Sequence, residues 1–149
     1  MSLTLYAHPF SSYCQKVLVA LYENDVEFEY RTLEDPTAMS KPVFAALKQD
    51  DARKDEAMVE ARRALDLAYG WLEQRLEGCP WAAGENLSMA DCAAAPSLFY
   101  ADWVHPIADV FPALRAYRSR LLAWPAFARA VDEARPFRHY FPLGAPDRD

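Results

Sequence analysis

The sequence predicts a mixed α/β chain that is mostly helical, with a short βαβ unit over residues 1–35 and an all-helical region over residues 36–149. Three observations carry this reading. Leu3-Thr4-Leu5-Tyr6-Ala7 alternates apolar and polar positions and stops at His8-Pro9, the pattern of a short strand closed by a proline. Val26 to Arg31 puts Val26, Phe28 and Tyr30 on one face and Glu27 and Glu29 on the other, giving a second strand. After Leu33-Glu34-Asp35-Pro36 the apolar period lengthens to that of a helix, and no further strand pattern follows.

Each element has a local reason. A helix starts after His8-Pro9, because Ser11 and Ser12 both accept from free backbone N–H groups in a first turn. Tyr13, Val17, Ala20 and Leu21 then recur at helical spacing, and Asn24-Asp25 ends the helix. Strand, helix and strand make a βαβ unit with parallel strands and a right-handed crossover. Ala38 to Gln49 is a modest helix candidate interrupted by Pro42. Over residues 52–77, Met58, Ala61, Leu65, Ala68, Leu72 and Leu76 form one apolar stripe, and Gly78 and Pro80 supply the stop.

The next helix opens at Asn86-Leu87-Ser88-Met89-Ala90-Asp91. Ser88 is its N-cap and Asp91 completes a capping box in place of the usual Glu or Gln, while Leu87 staples onto Cys92. The run from Cys92 to Tyr100 is apolar on all sides, as expected of a buried axis, and Pro96 is expected to kink it. Two shorter helices follow, Pro112 to Leu122 and Pro125 to Ala134, each with proline in the first turn. From Pro136 the aromatic tail, with Phe137, Tyr140 and Phe141, is expected to lie extended across the surface.

Composition narrows the function classes. The chain has 149 residues, 52% of them apolar, which excludes disorder and permits a real core. Sixteen basic against twenty-two acidic side chains leave a charge of −6, which argues against nucleic acid or an anionic membrane as the partner. The first twenty residues lack the pattern of a secretion signal, and the apolar uncharged run Cys92 to Ala101 is far too short to span a bilayer. Cys14, Cys79 and Cys92 are odd in number and lack metal-ligand spacing, so a reducing, cytoplasmic setting is expected and no metal.

With Ser11-Ser12-Tyr13-Cys14-Gln15-Lys16-Val17 after the first strand, and Ser88-Met89-Ala90-Asp91 opening the buried helix, the chain resembles the glutathione transferase superfamily, serine type. The resemblance covers residues 1–35 as the first half of a thioredoxin-like domain and residues 38–140 as the all-helical domain. Two further family elements are not found: a Val-Pro dipeptide with a cis proline, and a Glu-Ser or Gln-Ser pair that holds the γ-glutamyl end of glutathione. Lys41-Pro42-Val43 is a superficial candidate for the first, but Phe44-Ala45-Ala46-Leu47-Lys48 after it offers neither a hairpin nor an acidic-serine pair. The second helix, third and fourth strands and third helix of the domain are therefore read as missing.

The resemblance implies glutathione as co-substrate, with Ser11 donating to its sulfur and Ser12 and Cys14 beside it at the head of the first helix. A thiol of pKa about 8.5 is only about 3% ionised at neutral pH, and lowering that pKa by two units needs about 2.7 kcal/mol. A helix N-terminus and one charge-directed hydrogen bond are of that size. Read from the residues alone, Ser11 and Ser12 fit plain helix caps better than a sulfur site. Cys14 stands where glutaredoxins keep the second cysteine of Cys-x-x-Cys, but Ser11 replaces the first, so a packed thiol fits better than a dithiol cycle.

Tyr100, Trp103 and His105 fall at the end of the buried helix, where the family lines its site for a small hydrophobic molecule; core packing is the alternative. His8 is expected to make a local hydrogen bond, and Asp91 to serve the cap rather than catalysis. Two strands are too few to stand alone, so either the helices and tail cover the sheet or a second copy completes it, and a homodimer is favoured. The expected function is conjugation of glutathione to small hydrophobic electrophiles; the alternative is a non-catalytic scaffold or hydrophobic-ligand carrier.

Overall fold

A computed structural model of the chain describes residues 3–33 and 51–149. β1, Leu3–Ala7, and β2, Phe28–Thr32, pair in parallel with Leu3 opposite Phe28 and Ala7 opposite Thr32. The crossover between them is α1, Ser12–Glu23. Among the described residues these two strands make up the whole sheet. β2 starts two residues later than the side-chain alternation predicts, because Val26 belongs to the exit of α1. Asp25 adopts a left-handed φ of 48°, and the Val26 N–H returns to Leu21 O at 3.0 Å.

α1 buries a different face from the one expected. Gln15, Leu18 and Val19 are buried, whereas Tyr13 is 80% exposed and Val17 is also exposed. The face carrying Leu18 and Val19 is claimed by the helical layer, since α1 packs on α3, Met89–Val104, and α5, Pro125–Ala134. That leaves the Tyr13–Val17 side largely to solvent.

α2 spans Asp51–Leu76, one residue earlier at each end than predicted. Its buried seam is narrower than the apolar stripe. Met58, Leu65 and Leu72 are half-buried and Leu76 is buried, but Ala61 and Ala68 are exposed, and Tyr69 is the core residue of that turn. Burying a tyrosine is tolerable here because its hydroxyl donates to His105 O at 2.9 Å. The seam faces α4, Pro112–Ala123.

α3 runs through the middle of the layer, with Cys92, Ala95, Pro96, Leu98, Phe99 and Trp103 all buried. It continues through Pro96. Its N-terminus carries the expected box: Ser88 Oγ accepts from Ala90 N at 3.3 Å, and Asp91 accepts from Ser88 N at 2.8 Å. Leu87 packs on the core cluster that contains Cys92. α4 and α5 both begin with proline, as predicted. α4 has no side-chain cap of its own; Glu73 of α2 supplies one across the bundle, accepting from Ala113 N at 2.9 Å and Leu114 N at 2.8 Å.

The tail corrects another expectation. Arg135–Tyr140 forms a 3-10 helix instead of an extended strap. Pro136 suits its first turn, and the turn aims Phe137 and Tyr140 at His8, with ring centroids 4.7 and 6.0 Å away. The helix candidate over residues 38–49, the Lys41-Pro42-Val43 segment and the boundary at residues 35 and 36 lie outside the described residues.

Candidate functional site at the head of α1

The site begins with a turn. Ser11 N–H donates to His8 O at 3.0 Å, which reverses the chain between β1 and α1 and sets Ser11 as the N-cap in extended backbone conformation, φ −87° and ψ 117°. Ser11 O accepts from Gln15 N at 2.8 Å, the first bond of the helix. Ser11 Oγ accepts from Cys14 N at 3.4 Å, a long and weak cap. A hydroxyl that accepts one bond still has its own proton to donate. The N–H groups of Ser12 and Tyr13, in the first turn, have no partner within the helix, and no acidic side chain stands in that turn. The arrangement is therefore a half-buried hydroxyl donor beside two open N–H groups at the positive end of a helix dipole, which favours an anion.

His8 is buried and makes the local bond expected of it, accepting from Phe10 N at Nδ1 with a separation of 3.1 Å. Burial pushes its pKa below the ordinary value. A neutral imidazole follows, fixed as an acceptor toward the loop. Gln15 is the buried polar residue that sequence reading overlooked. Its Nε2 donates to Pro9 O at 2.9 Å and to Tyr100 Oη at 3.3 Å, and Tyr100 Oη donates to Phe10 O at 3.3 Å. These bonds hold the Pro9-Phe10 segment between α1 and α3. A glutamine four residues after a serine cap is the only trace of this in the sequence.

Tyr100 and Trp103 are brought together, with centroids 5.4 Å apart, and both lie against the Ser11 loop through Phe10, at 5.4 and 6.5 Å. Phe141 of the tail closes the cluster, 6.2 Å from Tyr100 and 5.1 Å from Trp103. Burial pushes the Tyr100 hydroxyl up to about 12. His105 is not part of this group. It stacks on Tyr69 at 6.1 Å, and its Nε2 lies 2.7 Å from Asp66 Oδ1 on α2.

Cys14 is half-buried and, like Cys79 and Cys92, a free thiol. No group of three or more His, Cys, Asp or Glu among the described residues is arranged to hold a metal. No described helix is long and apolar enough to cross a membrane.

A parallel βαβ unit with a serine at the head of its helix, docked on a helical layer built around a capped buried axis, is the architecture of a glutathione transferase whose thioredoxin-like half is shortened. The sequence agrees: residues 36–125 match the family described as Glutathione S-transferase, C-terminal domain, and the chain belongs to that family. It is similar to the disulfide-bond oxidoreductase YfcG of Escherichia coli K12, 35% identical over 68 residues, which make up 44% of this chain. The match spans only 31% of that protein's length.

Solved structures share the fold. FzlA from C. crescentus superposes with a TM-score of 0.67 at 17% identity, covering 99% of this chain and 97% of that one. A glutathione S-transferase from Rhodospirillum rubrum F11 gives 0.65 at 16% identity, covering 97% and 96%. Phanerochaete chrysosporium URE2P6 in its apo form gives 0.61 at 20% identity, covering 89% and 97%.

Proposed function

We propose that this protein binds the thiol of glutathione at the head of α1 and conjugates it to small hydrophobic electrophiles. The observation that supports this most is the Ser11 cap: one weak bond from Cys14 N, a free hydroxyl proton, and open N–H groups at Ser12 and Tyr13. When bound, glutathione supplies the sulfur nucleophile. Ser11 then donates a hydrogen bond to sulfur, Ser12 and Tyr13 add the partial positive charge of the helix end, and Cys14 packs beneath them. A charge-assisted hydrogen bond together with the dipole is of the size needed to favour the anion by about 2.7 kcal/mol. Tyr100 and Trp103 make the apolar wall nearest that sulfur, and His105, just past the end of that helix with its ring on Tyr69 and Asp66, stands apart from it.

The division of the chain at residues 35 and 36, and a cytoplasmic setting suited to three free thiols, belong to the same reading. So does a homodimer, for which Leu3 and Tyr6 on β1 and Tyr13 and Val17 on α1 offer exposed apolar surface. Calorimetric titration of the purified chain with glutathione tests the function. A saturable isotherm with Kd of about 1 mM or tighter, near −4 kcal/mol, is expected; absence of saturation refutes it.

One observation favours a second reading, a non-catalytic scaffold or hydrophobic-ligand carrier: Phe10 and Phe141 already fill the faces of Tyr100 and Trp103. Under that reading glutathione does not bind, and an apolar dye enters the cluster once Phe10→Ala opens it.

A further inference from the structure

Away from the head of α1, three guanidinium groups converge on a cleft of about 300 Å³ between the end of α3, α4 and the tail. Arg115 and Arg118 come from α4 and Arg148 from the tail, and Pro106 and Ile107 form the apolar side. At its floor lies Asp102, buried on α3. Asp102 Oδ1 is used by Ile107 N at 2.8 Å. Its Oδ2 is shared by Arg118 Nη2, at 3.1 Å, and Arg148 Nη1, while Arg148 Nη2 donates to Asp102 O at 2.7 Å.

One carboxylate is thus divided between two arginines, and Arg118 is left short. Its side chain is 14% exposed, and its Nε is buried with no hydrogen-bond partner among the described residues. Burial, with Arg148 nearby, holds its pKa below the ordinary value although Asp102 and Asp149 oppose the shift. Asp149 is itself engaged by Arg135 and Arg138. The remaining guanidinium, Arg115, pairs among the described residues with Asp109, which is 92% exposed, and such a surface pair gives way readily. The Ser119 hydroxyl donates to Arg115 O and takes no part.

We propose that this cleft is a binding site for a dianionic oxyanion of the phosphate class, either free inorganic phosphate or the phosphate group of a small ester. The charge count favours two negative charges. With Asp102 satisfied and Asp109 displaced, three guanidiniums against one carboxylate leave an excess of two. Arginine forks match the tetrahedral oxygens of phosphate, and the burial of Arg118 strengthens the bond it would give. The site is independent of Ser11, so its failure leaves the glutathione reading untouched.

The test is a thermal-melt and calorimetric titration of the full chain at fixed ionic strength, with inorganic phosphate in one arm and glycerol 3-phosphate in the other. Sodium chloride and acetate serve as controls. A saturable rise in Tm with phosphate, absent with chloride and acetate, is expected; a response to the ester as well assigns the site to phosphorylated small molecules, and a response to phosphate alone assigns it to the free ion. Arg115→Gln, which removes only an exposed pair, is expected to keep the melt in chloride and weaken phosphate about tenfold. Arg118→Lys is expected to weaken it further. Equal Tm shifts in chloride and phosphate, or unchanged phosphate affinity in Arg115→Gln, would overturn the proposal whether or not Arg118→Lys folds.

Discussion

Two of the described helices start on a serine, and the starts are completed in opposite ways. At the head of α3 the residue three places on is Asp91, fully buried, and its carboxylate takes every donor in reach. Ala82 N at 2.8 Å and Tyr117 Oη at 2.7 Å bind Oδ1; Ser88 N at 2.8 Å and Ser88 Oγ at 2.9 Å bind Oδ2. At the head of α1 the residue three places on is Cys14, which brings no charge, and the cap is a single contact of 3.4 Å. A helix start filled from within the chain is structural. One left open at the surface keeps its dipole and its N–H groups for something else.

The comparison is broken most severely by Asp91→Ala. The substitution strands the Tyr117 hydroxyl in the core and leaves the half-buried Ala82 N and Ser88 N without their acceptor, and we expect a loss of about 3–5 kcal/mol in urea unfolding. A loss under 1 kcal/mol would mean that the α3 cap is no better built than that of α1.

Acid probes the same carboxylate without mutation. Burial alone would raise its pKa, but the bonds from Ala82, Tyr117 and Ser88 outweigh burial and hold it below the usual carboxylate value. A depressed folded-state pKa means that the unfolded chain takes up the proton first. The stabilisation is therefore complete above the unfolded value of about 3.9 and is lost as pH falls through the folded value. Unfolding followed below pH 4 should be steeper in the natural chain than in Asp91→Asn. Parallel profiles would remove Asp91 as the cause.

Ser88→Ala sharpens the contrast within one cap. It removes the bond from Ala90 N and one of the four bonds to Asp91 but leaves the backbone half of the box, so about 1 kcal/mol should be lost on thermal or urea unfolding. A cost as large as that of Asp91→Ala would mean that the serine organises the carboxylate, rather than the reverse.

These caps were legible in the sequence because a cap is a local motif. Ser88 and Asp91 need only be three residues apart, as must Ser11 and Cys14. The parallel βαβ order and the proline starts of α4 and α5 were readable for the same reason. What stayed hidden was set between distant segments. Glu73 caps α4 from forty residues away, and Asp102 gathers Arg118 and Arg148 from other elements. Gln15 reaches Tyr100 across the two layers. The buried face of α1 was missed because Tyr13 and Val17 are as apolar as Leu18 and Val19, and only the arrival of α3 and α5 decides between them. His105 parted from Tyr100 and Trp103 because the chain leaves its helix there, extended at φ −145°, and turns the ring toward α2.

Ser11→Ala is the smallest change in stability and the most telling in function. A contact of 3.4 Å contributes little, so unfolding should shift by no more than about 0.5 kcal/mol, at the low end for serine caps. If the hydroxyl donates to a thiolate, its loss should weaken glutathione binding by one to two powers of ten, about 1.4–3 kcal/mol. The two readouts thus move in the reverse order from those at Ser88, where stability suffers and ligand affinity does not. Should Ser11→Ala cost as much stability as Ser88→Ala while leaving the titration unchanged, both helix starts are structural, and the open N–H groups at Ser12 and Tyr13 merely face water.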